Sequence, residues 1–248
     1  MNPETIHPDL RKVLRRLKLS RILDTLPERL ALARQQKMPY QDLLLLVLQD
    51  EASRRDAQAA SLRAQKAQLD PAHQIENWDE TAKVSFDREL LNELASLRFI
   101  ESNNHVTVVG PVGVGKTFLA HVACRRGYSV LAVQADRMLK TLKQARLLNA
   151  YEAELRKLIA VDLLVVDDFA LDAMDAQESR DAYDIFTERH RRGSMILTSN
   201  RGPDEWLATF ADPLRAQSAV DRFTNAAYDL VIDGESYRSR QKPKRGRP

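Results

Sequence analysis

The chain has 248 residues, 44% hydrophobic and 29% charged, enough for one large domain or two modest ones. Its single cysteine, Cys124, excludes an intrachain disulfide and a cysteine-based zinc site, and reads as a small buried residue. No apolar run approaches the ~20 residues of a membrane-spanning helix, and residues 1–11 lack the apolar core of a signal peptide, so a cytoplasmic protein is expected. The formal net charge of +3 conceals an asymmetry: +5 over residues 1–69, −5 over 70–105, −3 over 106–235 and +6 over the last 13 residues. Basic ends around an acidic middle are a weak footprint for a polyanion such as nucleic acid.

Residues 1–69 read as an all-helical N-terminal domain. Leu10, Val13, Leu14 and Leu17 make a helical stripe, flanked by Arg11, Lys12, Arg15, Arg16 and Lys18. Thr25-Leu26-Pro27-Glu28 has the form of a capping box with proline in the first turn, predicting a helix from there to about Lys37. One long helix is then expected from Tyr40 to about Leu69, with a buried opening at Leu43–Leu48 and an exposed later half carrying Arg54, Arg55, Arg63 and Lys66. Asp70-Pro71 ends it. Residues 70–86 read as an acidic linker whose Trp78 and Phe86 pack onto the next domain, and Asp87 caps a helix to about Leu97.

From Asn103-Asn104 onward strands and helices alternate. Strands are expected at His105–Val109, Ser129–Gln134, Asp162–Asp168, Met195–Ser199 and Asp229–Asp233. Helices are expected over 118–126, 135–148, 150–160, 178–192, 203–209 and 213–223, the first ending at Gly127. This alternation predicts an α/β fold with a mostly parallel five-stranded sheet spanning residues 87–237, its ligand at the carboxyl ends of the strands. Residues 238–248 read as a basic disordered tail.

Gly110-Pro111-Val112-Gly113-Val114-Gly115-Lys116-Thr117 has the pattern G-x-x-x-x-G-K-T, set between a strand and a helix. Glycines let the backbone wrap a phosphate, and the helix start offers unpaired N–H groups to the anion. Lys116 would reach the β- and γ-phosphates of ATP, and Thr117 would ligate Mg²⁺. About fifty residues on, Leu163-Leu164-Val165-Val166 ends in Asp167-Asp168. Asp167 would hold Mg²⁺, usually through water, and Asp168 would orient or deprotonate the attacking water. Asn200 is either a sensor bonded to the γ-phosphate or water, or the start of a turn before Gly202-Pro203. Arg222 either reaches the γ-phosphate of a neighbouring subunit or forms a surface ion pair with Asp221 or Asp229.

A helical basic N-domain, GPVGVGKT, LLVVDD, TSN, DRF and a closing GESYRSR, in that order, resemble the IstB-like helper ATPases of bacterial insertion elements. These are AAA+ proteins related to the helicase loader DnaC. The resemblance runs over roughly residues 8–240. It implies an AAA+ core, ATP-dependent assembly on duplex DNA, and recruitment or stimulation of a transposase. It also gives Lys116 and Thr117 the Walker A roles, Asp167 the Walker B role, Asn200 the sensor role and Arg222 the arginine-finger role, with Arg238 near the nucleotide.

Two departures bear on activity. Many AAA+ ATPases have glutamate where this chain has Asp168, so slow or assembly-dependent hydrolysis is expected. About 15 residues after the last strand leave no room for a helical lid, which predicts weak nucleotide binding by the isolated subunit. Phosphate contacts with DNA are expected from Arg11, Lys12, Arg15, Arg16 and Lys18, then Arg54, Arg55 and the tail. The rival readings are a helicase loader and an adaptor that binds ATP without hydrolysing it.

Overall fold

Helices α1 (Pro8–Arg16), α2 (Ile22–Gln35) and α3 (Tyr40–Lys66) open the computed structural model, which describes residues 6–69, 84–110 and 118–234. Proline suits the first position of α1, where its missing N–H would have no partner, and His7 Nδ1 accepts from Asp9 N at 3.3 Å. Helix α2 starts at Ile22, a turn before the capping box read from the sequence, so Pro27 lies inside it. Its opening turn is wound tightly: the N–H groups of Ile22, Leu23 and Asp24 bond to the carbonyls of Leu19, Ser20 and Arg21. The earlier start places Ile22 and Leu26 on one face, where they join Ile6, Leu14 and Val47 in a small core.

The opening of α3 departs further from expectation. Leu44, Leu45 and Leu48 are 61%, 56% and 52% exposed, and of the run Leu43–Leu48 Val47 alone is buried. A helix apolar on all sides can bury only the side that meets its neighbours, and this core is supplied by three helices. Glu51 on α3 is buried. It accepts from Arg54 Nε at 2.8 Å and from Arg55 Nε at 2.7 Å, while Arg55 Nη2 donates to the carbonyl of Lys18 at 2.7 Å. The Arg54 hydrogen bond, opposed by burial and aided by Arg55, holds the Glu51 carboxyl down to about 2. The chain divides into two compact units inside α3, between Ala60 and Ser61, so the end of the helix and the boundary between units do not coincide.

The second unit begins its described sheet structure with β1 (Val84–Ser85), followed by α4 (Arg88–Ala95) and α5 (Arg98–Glu101). Asp87 Oδ1 accepts from Leu90 N at 3.0 Å, the N-cap expected of it, but the helix stops at Ala95 because Leu97 takes φ +65° and a new turn, α5, begins. Then come β2 (His105–Val109), α6 (Phe118–Arg125), β3 (Val130–Gln134), α7 (Ala135–Leu147), α8 (Tyr151–Ile159) and β4 (Leu163–Asp167). Helix α9 (Ala176–Arg189), β5 (Ser194–Ser199), α10 (Pro203–Trp206), a 3₁₀ turn at Leu207–Thr209, α11 (Pro213–Thr224), β6 (Ala227–Val231) and β7 (Asp233–Gly234) complete it. The start of α9 at Ala176 is set by a capping box in which Asp175 Oδ1 accepts from Glu178 N and Glu178 accepts from Asp175 N.

Five strands form one parallel sheet in the order β3-β4-β5-β2-β6. The last strand lies two residues earlier than its hydrophobicity suggested, because Ala227–Val231 pairs residue for residue with His105–Val109. Asp233-Gly234 then turns away and pairs antiparallel with Val84-Ser85. Residues alternate across the strands. Leu163, Val165, Ile196, Val106 and Val108 face a core with α4, α5 and α6, whereas Leu164, Val166, Met195 and Leu197 face a second core with α7, α8, α9 and α11. Phe86, the described aromatic of the acidic stretch, packs on the first core; Trp78 lies outside the described residues. Helix α6 ends in a Schellman motif: Gly127 takes φ +99°, Tyr128 N donates to Ala123 O at 3.1 Å and Gly127 N to Cys124 O at 3.3 Å. Cys124 itself is buried, and its burial pushes the thiol up to about 11.

At the amino ends of the strands a fully buried arginine does the joining. Arg189 donates to the carbonyls of Leu158, Ile159, Val161, Asp162 and Ser194 at 2.6–3.2 Å. These carbonyls belong to the end of α8, the lead into β4 and the start of β5, so one side chain fixes where two site-bearing strands begin. No helix among the described residues is long and apolar enough to cross a membrane. None follows β6 as a lid among the described residues.

Candidate nucleotide site

The carboxyl ends of β4, β5 and β2 lie side by side, and Gly110, Asp167, Asp168 and Asn200 are at or just past them. Gly110, the first residue of the phosphate-loop motif, donates its N–H to the carbonyl of Ser199 at 3.1 Å. A Cβ on Gly110 would sit 2.2 Å from the backbone oxygen of Ile232, and its φ is +157°, so glycine is required by space. Pro111, Val112, Gly113, Val114, Gly115, Lys116 and Thr117 lie outside the described residues. Gly110 follows β2, which lies between β5 and β6, and the described chain resumes in the buried residues Phe118, Leu119 and Ala120 of α6.

Asp167 ends β4, half-buried. The Thr198 hydroxyl on β5 donates a short hydrogen bond to Asp167 Oδ1 and accepts from Asp168 N at 3.2 Å. Asp168 takes the left-handed backbone, φ +55°, rare for a residue with a side chain. That turn is clamped to β5 twice more: Phe169 N donates to Thr198 O at 2.8 Å, and Ser199 Oγ donates to Phe169 O at 2.8 Å. Ser199 Oγ also accepts from Arg201 N at 3.1 Å and from the fully buried Trp206 Nε1 at 3.2 Å, which uses one donor and both lone pairs.

Asn200 follows, exposed. Its side chain makes no hydrogen bond among the described residues, and Ser199, not Asn200, caps the turn. Asn200 thus follows β5 at the same end of the sheet as Gly110 and Asp167.

Arg222 sits elsewhere. It lies in the last turn of α11, which feeds β6 at Ala227, the residue paired with His105 at the start of β2. Roughly 16 Å of strand, at 3.3 Å per residue, separates that edge from Gly110. Its guanidinium bonds to Ser218 O at 3.2 Å and to the Ser218 hydroxyl, and lies 5.7 Å from the Tyr183 ring. Neither Asp221 nor Asp229 pairs with Arg222 among the described residues, and within its own subunit the arginine is remote from Asp167. Arg238 lies outside the described residues.

No group of three or more His, Cys, Asp or Glu able to hold a metal occurs among the described residues. Mg²⁺ with a nucleotide needs no such cage: it is held through one or two carboxylates plus the phosphates. Asp167, separated from Gly110 by one strand, is a carboxylate of the kind such a site uses. Thr198 and Ser199 entered the sequence reading only as part of TSN, with no role of their own, and Trp206 did not enter it. The signal for the first two is a pair of hydroxyl residues closing a strand whose middle, Met195-Ile196-Leu197, is apolar.

The sequence matches the family described as IstB-like ATP binding protein over residues 12–245. The chain belongs to that family. An ATP-binding protein of an insertion sequence in Mycobacterium tuberculosis is 36% identical to this IstB-like protein, over 96% of this chain and 97% of its own. An IS21 ATP-binding protein of Pseudomonas aeruginosa is 32% identical over 96% and 91%. Among solved structures, AMPPCP-bound DnaA from Aquifex aeolicus aligns with TM-score 0.53 and 22% identity, covering 65% of this chain and 50% of DnaA. That likeness shows the fold, a P-loop AAA+ core, in agreement with the expected class.

Proposed function

We propose that this IstB-like protein binds ATP with Mg²⁺ at the carboxyl ends of β2, β4 and β5, hydrolyses it, and uses the nucleotide to control its assembly on duplex DNA in support of a transposase. The observation that carries the reading is the convergence of Gly110, Asp167, Asp168 and Asn200 on one end of the sheet, with the G-x-x-x-x-G-K-T motif leaving from the same place. The insertion-sequence relatives support the context. Bound Mg²⁺ would neutralise charge developing on the phosphates. Lys116 and Thr117 would hold phosphate and metal, Asp167 would hold the metal through water, and Asp168 and Asn200 would orient the attacking water. Arg222 would act on the nucleotide of a neighbouring copy, since its own site is an edge away.

DNA contact falls to the exposed residues Arg11, Arg15, Arg16 and Lys18 of the first unit, with Lys12 3.7 Å from Asp9. Arg54 and Arg55 contribute less, because Glu51 already neutralises part of their charge. The test is phosphate release and particle size, with and without duplex DNA, for the native protein and Lys116→Ala. Hydrolysis and assembly are expected from the native chain alone. Lys116→Ala that hydrolyses and assembles normally would refute the site. DNA binding should weaken at least about tenfold from 50 to 200 mM salt by counterion release. A preference for single strands over duplex would favour the helicase-loader reading, and native protein that binds ATP yet releases no phosphate would favour the adaptor.

A further inference from the structure

We propose that Thr198 is a positioning residue that aims both acidic side chains of the site, and that its hydroxyl sets the affinity for the metal–nucleotide pair. This rests on the nucleotide-site reading. A hydroxyl has one proton to give and two lone pairs. Thr198 spends its proton on Asp167 Oδ1 and accepts the N–H of Asp168. One atom therefore touches two consecutive residues with different proposed tasks.

On Asp167 the bond occupies Oδ1. The bond also limits the rotation of the carboxyl about its terminal torsion, which is otherwise broad, and leaves Oδ2 as the oxygen available to a metal-bound water. On Asp168 the bond acts through the backbone. A left-handed residue other than glycine persists only where its surroundings over-determine it. Here Thr198 contributes two of those restraints, its Oγ1 to Asp168 N and its carbonyl to Phe169 N at 2.8 Å. Side-chain direction at Asp168 follows from that φ.

Thr198 is 1% exposed, and its main chain pairs within the parallel sheet, where Thr198 lies opposite Val108. Valine has the same shape without the hydroxyl, so Thr198→Val removes the two side-chain bonds and keeps the strand. Serine keeps the hydroxyl and loses a methyl.

The experiment uses full-length protein and a fluorescent ATP analogue, titrated with and without Mg²⁺, beside thermal unfolding and phosphate release. For Thr198→Val we expect analogue affinity without metal within twofold of native, and at least a fivefold rise in the Mg²⁺ concentration giving half-maximal enhancement of binding. Phosphate release should fall about tenfold. Thr198→Ser should return all three to within about twofold of native, although it too loses packing. A Thr198→Val protein that stays folded with native Mg²⁺ dependence overturns the proposal, as does a Thr198→Ser protein that behaves like Thr198→Val. The nucleotide-site reading fails separately: in that case native protein and Lys116→Ala bind the analogue equally, with no response to Mg²⁺ in either.

Discussion

Replacing Arg189 by methionine should destabilise the second unit by about 3 to 5 kcal/mol. Methionine keeps much of the length and apolar body of the arginine and removes its donors. In the native fold the four Nη protons serve five backbone carbonyls, those of Leu158, Ile159, Val161, Asp162 and Ser194, at 2.6–3.2 Å, one proton being shared, while Nε is buried without a partner. Each such bond contributes about 1 kcal/mol net, and a buried carbonyl left without a partner costs about 1–3 kcal/mol. Asp162 O keeps a second donor, Ser194 N at 3.0 Å, which trims the total. A further offset is the charge itself: burial pushes the Arg189 guanidinium down to about 10, so removing it relieves desolvation. With a urea slope of about 2 kcal/mol per molar, the midpoint followed by far-ultraviolet circular dichroism should drop by roughly 1.5–2.5 M. Arg189→Lys should lose most of the same, because one ammonium has three donors and cannot span carbonyls on two strands and a helix end. A midpoint within about 0.5 M of native, near 1 kcal/mol at that slope, would show that these bonds do not hold β4 and β5 in place.

Two further changes test neighbouring parts of the fold. His105 is 1% exposed, stacked on Phe223 with ring centres 4.9 Å apart, and accepts from Met195 N at 3.2 Å. Desolvation first, then the charges of Arg189 and His190, push it down to about 4 from the usual 6.5. Its contribution is therefore complete above pH 6.5 and lost as pH falls toward 4, at about 1.4 kcal/mol per pH unit. Urea midpoints compared between native protein and His105→Gln over pH 7 to 4 should show the native slope steeper by that amount; parallel slopes would exclude it. Gly110→Ala should cost about 2 kcal/mol or more and lower ATP-analogue affinity at least tenfold, because the new methyl meets the Ile232 backbone oxygen 2.2 Å away. Native stability and binding in that variant would mean the β2 and β6 ends adapt freely.

What the sequence made legible was the part governed by short-range rules. Aliphatic runs such as Leu163–Val166 gave strands, and the glycines at 110 and 127 sit where the backbone demands them. Asp167 and Asn200 came to one end of the sheet because parallel strands align their carboxyl ends. The illegible part depended on pairing. Asp229–Asp233 reads as a strand, but register with β2 selects Ala227–Val231. The tie of Glu51 to Arg54 and Arg55 changes a basic stretch into a neutralised joint, and composition alone counts those arginines as free. Thr198 was missed because a threonine in a strand is ordinary until its partner across the ladder is known.

The small ladder between Val84-Ser85 and Asp233-Gly234 ties the segment ahead of α4 to the segment that follows β6. One residue upstream of that clasp is Ile232, whose N–H donates to Val109 O at 2.8 Å and whose carbonyl oxygen fills the space a side chain on Gly110 would need. A side chain at position 110 would therefore press on the residue next to that ladder, so the first glycine of the motif and the clasp share one point of strain.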